Sequence, residues 1–311
     1  MQPWNDWSNN MTKHEDKREP TNAAARKLPP GFSYPKGWID RSGEHGYPVA
    51  VFLDSMEALA DGEIHKSNRG QEIVKMQDQP DEPDNWHGGL TRLDSWKAKG
   101  IEGWPEGVQR MHEALKAVKA NKALDVRRRR TRGPEGDDLD IHSIYGGRLE
   151  TAWERMAPRQ GYGSPVVRIW IEASTPGMMT ADQMFWRGAA AMAVTERLEE
   201  SGYRVEIQIY SHLDKLWDSP GNEDYFRAVC AKRADRTLDL EALTFLSAHP
   251  ASHRVAGFLA YCRHPWKCQN GLGHPDRRIP TFVADGDLCV RNIWSAREAQ
   301  EWVTETMRPY L

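Results

Sequence analysis

Val166-Val-Arg-Ile-Trp-Ile-Glu-Ala-Ser-Thr-Pro-Gly177 opens the stretch whose reading decides the fold. A helical run follows, and then Gly202-Tyr-Arg-Val-Glu-Ile-Gln-Ile-Tyr210. The order is strand, polar turn, helix, glycine stop, strand, which is a βαβ unit. Thr180 stands where a helix N-cap belongs, and Gln183 three residues on completes a capping box. Met184, Phe185, Met192 and Leu198 supply an apolar helical face. Gly188 falls on that face, where the missing side chain allows close approach to a sheet. Gly202 sits at the expected C′ position after Ser201. A connection of this length makes the two strands parallel and the crossover right-handed.

Working outward, residues 150 to 311 alternate strand and helix. Val255–Tyr261 and Ile279–Ala284 read as further strands, and Asp239–Ser247 and a run capped by Ser295 as helices. The stretch between His212 and Arg236 reads as loop, with a helical piece around Tyr225 to Lys232. This pattern predicts an α/β fold with a mostly parallel sheet and helices on both faces. Both early strands alternate apolar residues with charge: Arg168 and Glu172 in one, Arg204 and Glu206 in the other. Strands covered on both faces usually read as unbroken apolar runs, so this alternation points to an edge strand or a partly covered face.

Upstream of this unit, residues 1–46 read as an irregular arm carrying Trp4, Trp7, Phe32, Tyr34 and Trp38, aromatics suited to docking on a partner. Residues 47–125 read as a small, mainly helical region that opens with a short strand at Tyr47–Phe52. Residues 126–145 read as a linker, in which a basic run abuts an acidic one. Residues 146–311 form the main domain. The chain's 311 residues suit about two such units. A hydrophobic content of 39% and a mean hydropathy of −0.74 place part of it outside any core.

A net charge of −3 excludes a global pull toward nucleic acid or acidic lipid. The four cysteines are irregularly spaced, which fits a reducing compartment rather than a disulfide scaffold. No secretory pattern opens the chain and no apolar run spans a bilayer, so the expected location is the cytoplasm, without membrane contact.

Three chemistries are open. In open α/β sheets ligands gather at the carboxyl ends of the strands. Glu172, Ser174 and Thr175 follow the first strand, and Asp285 and Asp287 flank Gly286 after a late one. Such oxygen ligands would take Mg²⁺ or Ca²⁺. The run Arg127, Arg128, Arg129, Arg130 and Arg132 matches phosphate geometry, though no RNA-stacking module accompanies it. Cys262 and His264, with Cys268 and His274, have a spacing too long for a zinc knuckle. Nucleophile-elbow, Walker A and dinucleotide fingerprints are absent from the sequence.

Val166 to Tyr210, together with Phe282-Val-Ala-Asp-Gly286, resembles a von Willebrand A domain. That family carries a metal-ion-dependent adhesion site of the form Asp-x-Ser-x-Ser, with a late Thr-Asp-Gly. On that motif Glu172 takes the Asp place and Ser174 the first Ser place, while Pro176 replaces the second Ser and Ala284 the late Thr. The site is therefore degenerate. The arrangement is similar to proteins of tailed bacteriophages and to the A-domain partners of AAA+ ATPases. The resemblance implies a non-enzymatic protein-interaction module. Its partner rim would be Thr175, Asp285 and Asp287, and its residual metal set Glu172, Ser174 and Asp285. The alternatives are a nucleic-acid-associated factor using the arginine run and a divalent-metal-dependent enzyme.

Overall fold

The computed structural model describes residues 24–62, 75, 77–78, 80–81, 86–117, 128–133, 138–158, 165–214, 224–265, 274–275 and 278–310. Strands β1 (Trp38–Asp40) and β2 (Val49–Leu53) lead into helix α1 (Met56–Ala60). Helices α2 (Leu93–Glu102) and α3 (Pro105–Ala117) follow. A small sheet comes next, with β3 (Arg128–Gly133), β4 (Asp138–Leu139), helix α4 (Ile141–Tyr145) and β5 (Trp153–Pro158). The central unit is β6 (Val166–Glu172), α5 (Ala181–Glu200), β7 (Arg204–Asp214) and β8 (Tyr225–Lys232). The chain continues through α6 (Leu240–Ala248), a π-helical turn (Ser252–Gly257) and α7 (Phe258–Cys262). It closes with β9 (His274–Pro275), β10 (Leu288–Val290) and α8 (Ala296–Met307).

The βαβ unit forms as its residues predict. Thr180 accepts from the Gln183 amide and the Gln183 side chain returns to the Thr180 amide, which closes the capping box. β6 and β7 pair in parallel from Val166↔Arg204 to Glu172↔Tyr210. Gly188 makes a close approach to helix α6 rather than to the sheet: a Cβ there would lie 2.8 Å from Ser247 Oγ and 3.0 Å from Ala248 Cβ.

The main sheet runs β1-β2-β8-β7-β6-β10, with β9 pairing the end of β7. It is mixed, not mostly parallel. The β2/β8, β6/β7 and β6/β10 pairs are parallel, whereas β1/β2, β7/β8 and β7/β9 are antiparallel. Consequently β6, β7 and β10 point one way and β2 and β8 the other. The sheet therefore presents carboxyl strand ends at both of its edges across the strand direction. One rim follows β6 and β10; the opposite rim follows β2 and β8.

Among the described residues, helices cover one face only. Val49, Val51, Ile169, Ile171, Ile207 and Val229 face a core built with α5, α6, α8 and α1. On the second face Ala50, Trp170, Tyr210, Phe226 and Ala228 meet Tyr47, Phe282 and Val283. The alternation of Arg168 and Glu206 along their strands reflects this half-covered face, where the two side chains pair at 2.6 Å.

Several expectations are corrected. Residues 47–125 are not a separate region, because β2 lies inside the main sheet and Trp96 and Met111 share its core. Phe32, Tyr34 and Trp38 dock on this molecule rather than projecting from an arm: Tyr34 stacks on Trp38, and both rings meet His264. Trp4 and Trp7 lie outside the described residues. The linker expected at 126–145 contributes β3 and β4, which pair with β5. Tyr225 to Lys232 is strand rather than helix, since its residues alternate between the two faces of the sheet. Val255 to Tyr261 is helical and buried, and Ile279 to Ala284 is a turn-rich segment lying over the second face. No helix among the described residues is long and apolar enough to cross a membrane.

Candidate functional site

The rim after β6 gathers Glu172, Ser174 and Thr175, all buried. Parallel pairing with β10 brings Arg291 beside Glu172 on the second face, and Arg291 Nε donates to Glu172 Oε2 at 3.2 Å. Ser174 Oγ donates to Glu172 Oε1 at 2.9 Å. Arg187, from the first turns of α5, reaches back over the loop. Its Nη1 donates to the Ser174 carbonyl at 3.0 Å and its Nη2 to Thr175 Oγ1, while its guanidinium lies 4.7 Å from the Trp294 ring centre. Burial lowers the Arg187 pKa to about 10, with Glu172 opposing that shift.

The carboxylate is thus already paired with Arg291 and bonded by the Ser174 hydroxyl, and the Thr175 hydroxyl is taken by Arg187. A divalent cation placed against Glu172 would sit among fixed positive charges in a poorly solvated site, where like charges repel strongly. The residues do not fit a metal centre. No group of three or more His, Cys, Asp or Glu side chains suited to a metal occurs among the described residues.

Asp285 and Asp287 are not at this rim. Leu288 pairs with Ile169, so both aspartates enter β10 at its amino end. Asp287 accepts from Trp170 Nε1 at 2.8 Å and lies 3.7 Å from Arg168. Arg168 and Glu172 are four strand residues apart, roughly 13 Å at the usual rise. The metal set of Glu172, Ser174 and Asp285 is therefore not assembled, nor is the partner rim of Thr175, Asp285 and Asp287. The stretch expected as strand before Asp285 is turn-rich, and the short strand expected at Leu288 to Arg291 is the one that joins the sheet, which reverses the end on which the Asp-Gly pair falls.

A different surface occupies the rim. The loop leaving β6 exposes Met178, 72% accessible, at its tip. Trp86 Nε1 donates to the Gly177 carbonyl at 2.8 Å. From the π-helical turn, buried Arg254 donates to the Trp86 carbonyl at 2.7 Å and to the Met179 carbonyl at 2.6 Å, with its guanidinium 4.6 Å from the Trp86 ring centre. π-Helical turns in α-helical runs are frequent at functional sites. Beneath it, Arg227 Nη1 donates to the Gly257 carbonyl at 2.6 Å. His253 is held well below its ordinary pKa by burial and then by Arg227, Arg187 and Arg254, so it stays neutral.

The sequence offered one clue to these groups: arginines inside apolar runs, as with Arg187 beside Phe185 and Gly188. Buried arginines need partners, and here the partners are loop carbonyls. The other sequence candidates lie elsewhere. Arg128, Arg129, Arg130 and Arg132 are on β3 of the small sheet, where Arg132 lies 3.3 Å from Asp140; Arg127 is outside the described residues. His264 bonds Tyr225 through Nε2 at 2.9 Å and Tyr34 through Nδ1 at 3.4 Å, so both ring nitrogens are engaged within the core, and burial lowers its pKa to about 3. Cys262 is buried in α7, His274 is in β9, and Cys268 lies outside the described residues.

No curated protein and no solved structure matches the chain. A family model does match it over residues 42–311, described as a domain of unknown function, DUF7192. That span takes in the main sheet from β2 onward together with its rims, and the chain belongs to the DUF7192 family.

Proposed function

We infer that this protein is a non-catalytic interaction module that engages a protein partner through the rim after β6, with Met178 as the apolar anchor and Trp86 beside it. The observation that carries this reading is the contrast within one rim. Its chemically useful groups are consumed within the protein, Glu172 by Arg291 and the Ser174 hydroxyl, and Thr175 by Arg187, while its most exposed large residue is a methionine on a loop pinned by Arg254. Exposed methionines suit binding surfaces because they are flexible and polarizable. A rigid scaffold beneath them lowers the ordering cost of binding. The resemblance to A domains extends the proposal to a phage-encoded adaptor of an AAA+ ATPase, working in the cytoplasm. What supports that resemblance is the β6-α5-β7 unit with its capped helix and the degenerate motif after β6.

Affinity purification with Met178→Asp beside the wild-type chain tests the reading. Because Met178 is exposed, the variant folds. A partner retained by the wild-type chain and lost at least tenfold with Met178→Asp is expected, which is about 1.4 kcal/mol of binding. The same partners held equally by both chains would contradict it.

A further inference from the structure

Among the described residues, the opposite rim, after β2 and β8, is open. A groove of about 410 Å³ lies there, on the part of the second sheet face that the Phe282 segment leaves uncovered. Its floor is Phe52, Cys230 and Ile39, the last 54% accessible despite its apolar side chain. Asp54, directly after β2, stands on one side; Arg233 and Asp235, in the turn after β8, stand on the other. β2 and β8 are parallel neighbours, so this crevice lies outside the carboxyl ends of two parallel strands, the place where open α/β sheets bind ligands.

The charged groups divide into two kinds. Glu206 is committed to Arg168, Gln208 Nε2 donates to Glu206 at 3.2 Å, and Arg204, which also lines the groove, is engaged elsewhere. The carboxylates of Asp54 and Asp235 and the guanidinium of Arg233 form no ion pair among the described residues. All three remain available to a ligand. Burial pushes the Cys230 thiol up, Glu206 adds to the shift, Arg233 opposes it, and Asp54 adds slightly, so Arg233 and Asp54 both lie close enough to act on the floor.

We propose that this groove binds a short peptide zwitterion with apolar side chains, a dipeptide in size. Its ammonium meets Asp54 on one side, its carboxylate meets the Arg233 fork on the other, and its side chains lie on Phe52 and Ile39. Arginine matches a carboxylate in bidentate geometry, and an ammonium is a compact donor to a single carboxylate. Both charges are needed because the groove offers both signs; a simple anion or a simple amine would leave one set unmet. This binding is independent of the Met178 rim, which lies at the other end of the sheet.

Calorimetric titration of the full chain with L-leucyl-L-leucine tests it, with the N-acetylated and C-amidated dipeptides as controls. Expected is a dissociation constant on the order of 1 mM, weakened about tenfold by either cap. Arg233→Ala should weaken the free dipeptide about tenfold and leave the C-amidated one unchanged, because the variant and the cap remove the same contact. Arg233 is exposed, and an unaltered melting temperature verifies that the variant folds. No binding of the free dipeptide would overturn the proposal. So would binding indifferent to both caps, or an equal loss for free and amidated ligand in Arg233→Ala.

Discussion

Arg291 holds Glu172 with almost no water contact, their side chains being 2% and 4% accessible. Both ions pay a desolvation cost that only the pairing and its hydrogen bonds offset, and Ser174 supplies one of those bonds. Removing one partner leaves the other charge buried. Arg291→Met should therefore destabilise the fold by about 3 to 5 kcal/mol in urea unfolding. Adding Glu172→Gln to it should recover a large part of that loss, since no bare charge then remains. A single Arg291→Met within about 0.5 kcal/mol of wild type would mean that the pair does not form. None of this was legible from the motif alone. Glu172 and Ser174 were visible as rim residues, but Arg291 sits 119 residues from Glu172, and only strand pairing brings the two together.

Among the elements, α5 was the most legible. Thr180, Gln183 and Gly202 mark its ends in the sequence, and the caps form as those residues dictate. What local pattern left open was its neighbour. Gly188 signals a close approach without naming the partner, which is α6 at Ser247 and Ala248. Gly188→Ala gains about 1 kcal/mol of helix propensity but drives a methyl into that contact. Overpacking costs about 1 to 3 kcal/mol, so the variant should lower the denaturation midpoint. A raised midpoint would show that α6 yields easily and that the contact is loose. The misread elements share one cause. Val255–Tyr261 and Tyr225–Lys232 are short apolar runs buried on every side, and periodicity cannot separate helix from strand in such runs. For β8 a second signal was present: only ten residues separate it from β7, too few for a parallel crossover, so an antiparallel pair was the natural outcome.

For the molecule as a whole, strand direction is the quantity the pattern did not carry. The alternation of charge in β6 and β7 announced a half-covered sheet, and the half-covered sheet is there. It did not announce that β2 would pair with β8 across a separation of 176 residues, Val49 against Tyr225, or that the sheet would thereby gain a second, opposed rim. That arrangement explains why one end of the sheet is sealed by arginines and the other carries the open groove. The mixed sheet and the groove reading rest on β2 being an interior strand of the same sheet as β6. Amide hydrogen exchange on the full chain tests this most directly. The amides of Val49–Leu53 that bond into the sheet should be protected to the same degree as those of Val166–Glu172, because both open only with the whole core. Rapid exchange at Val49–Leu53 with slow exchange at Val166–Glu172 would contradict the account.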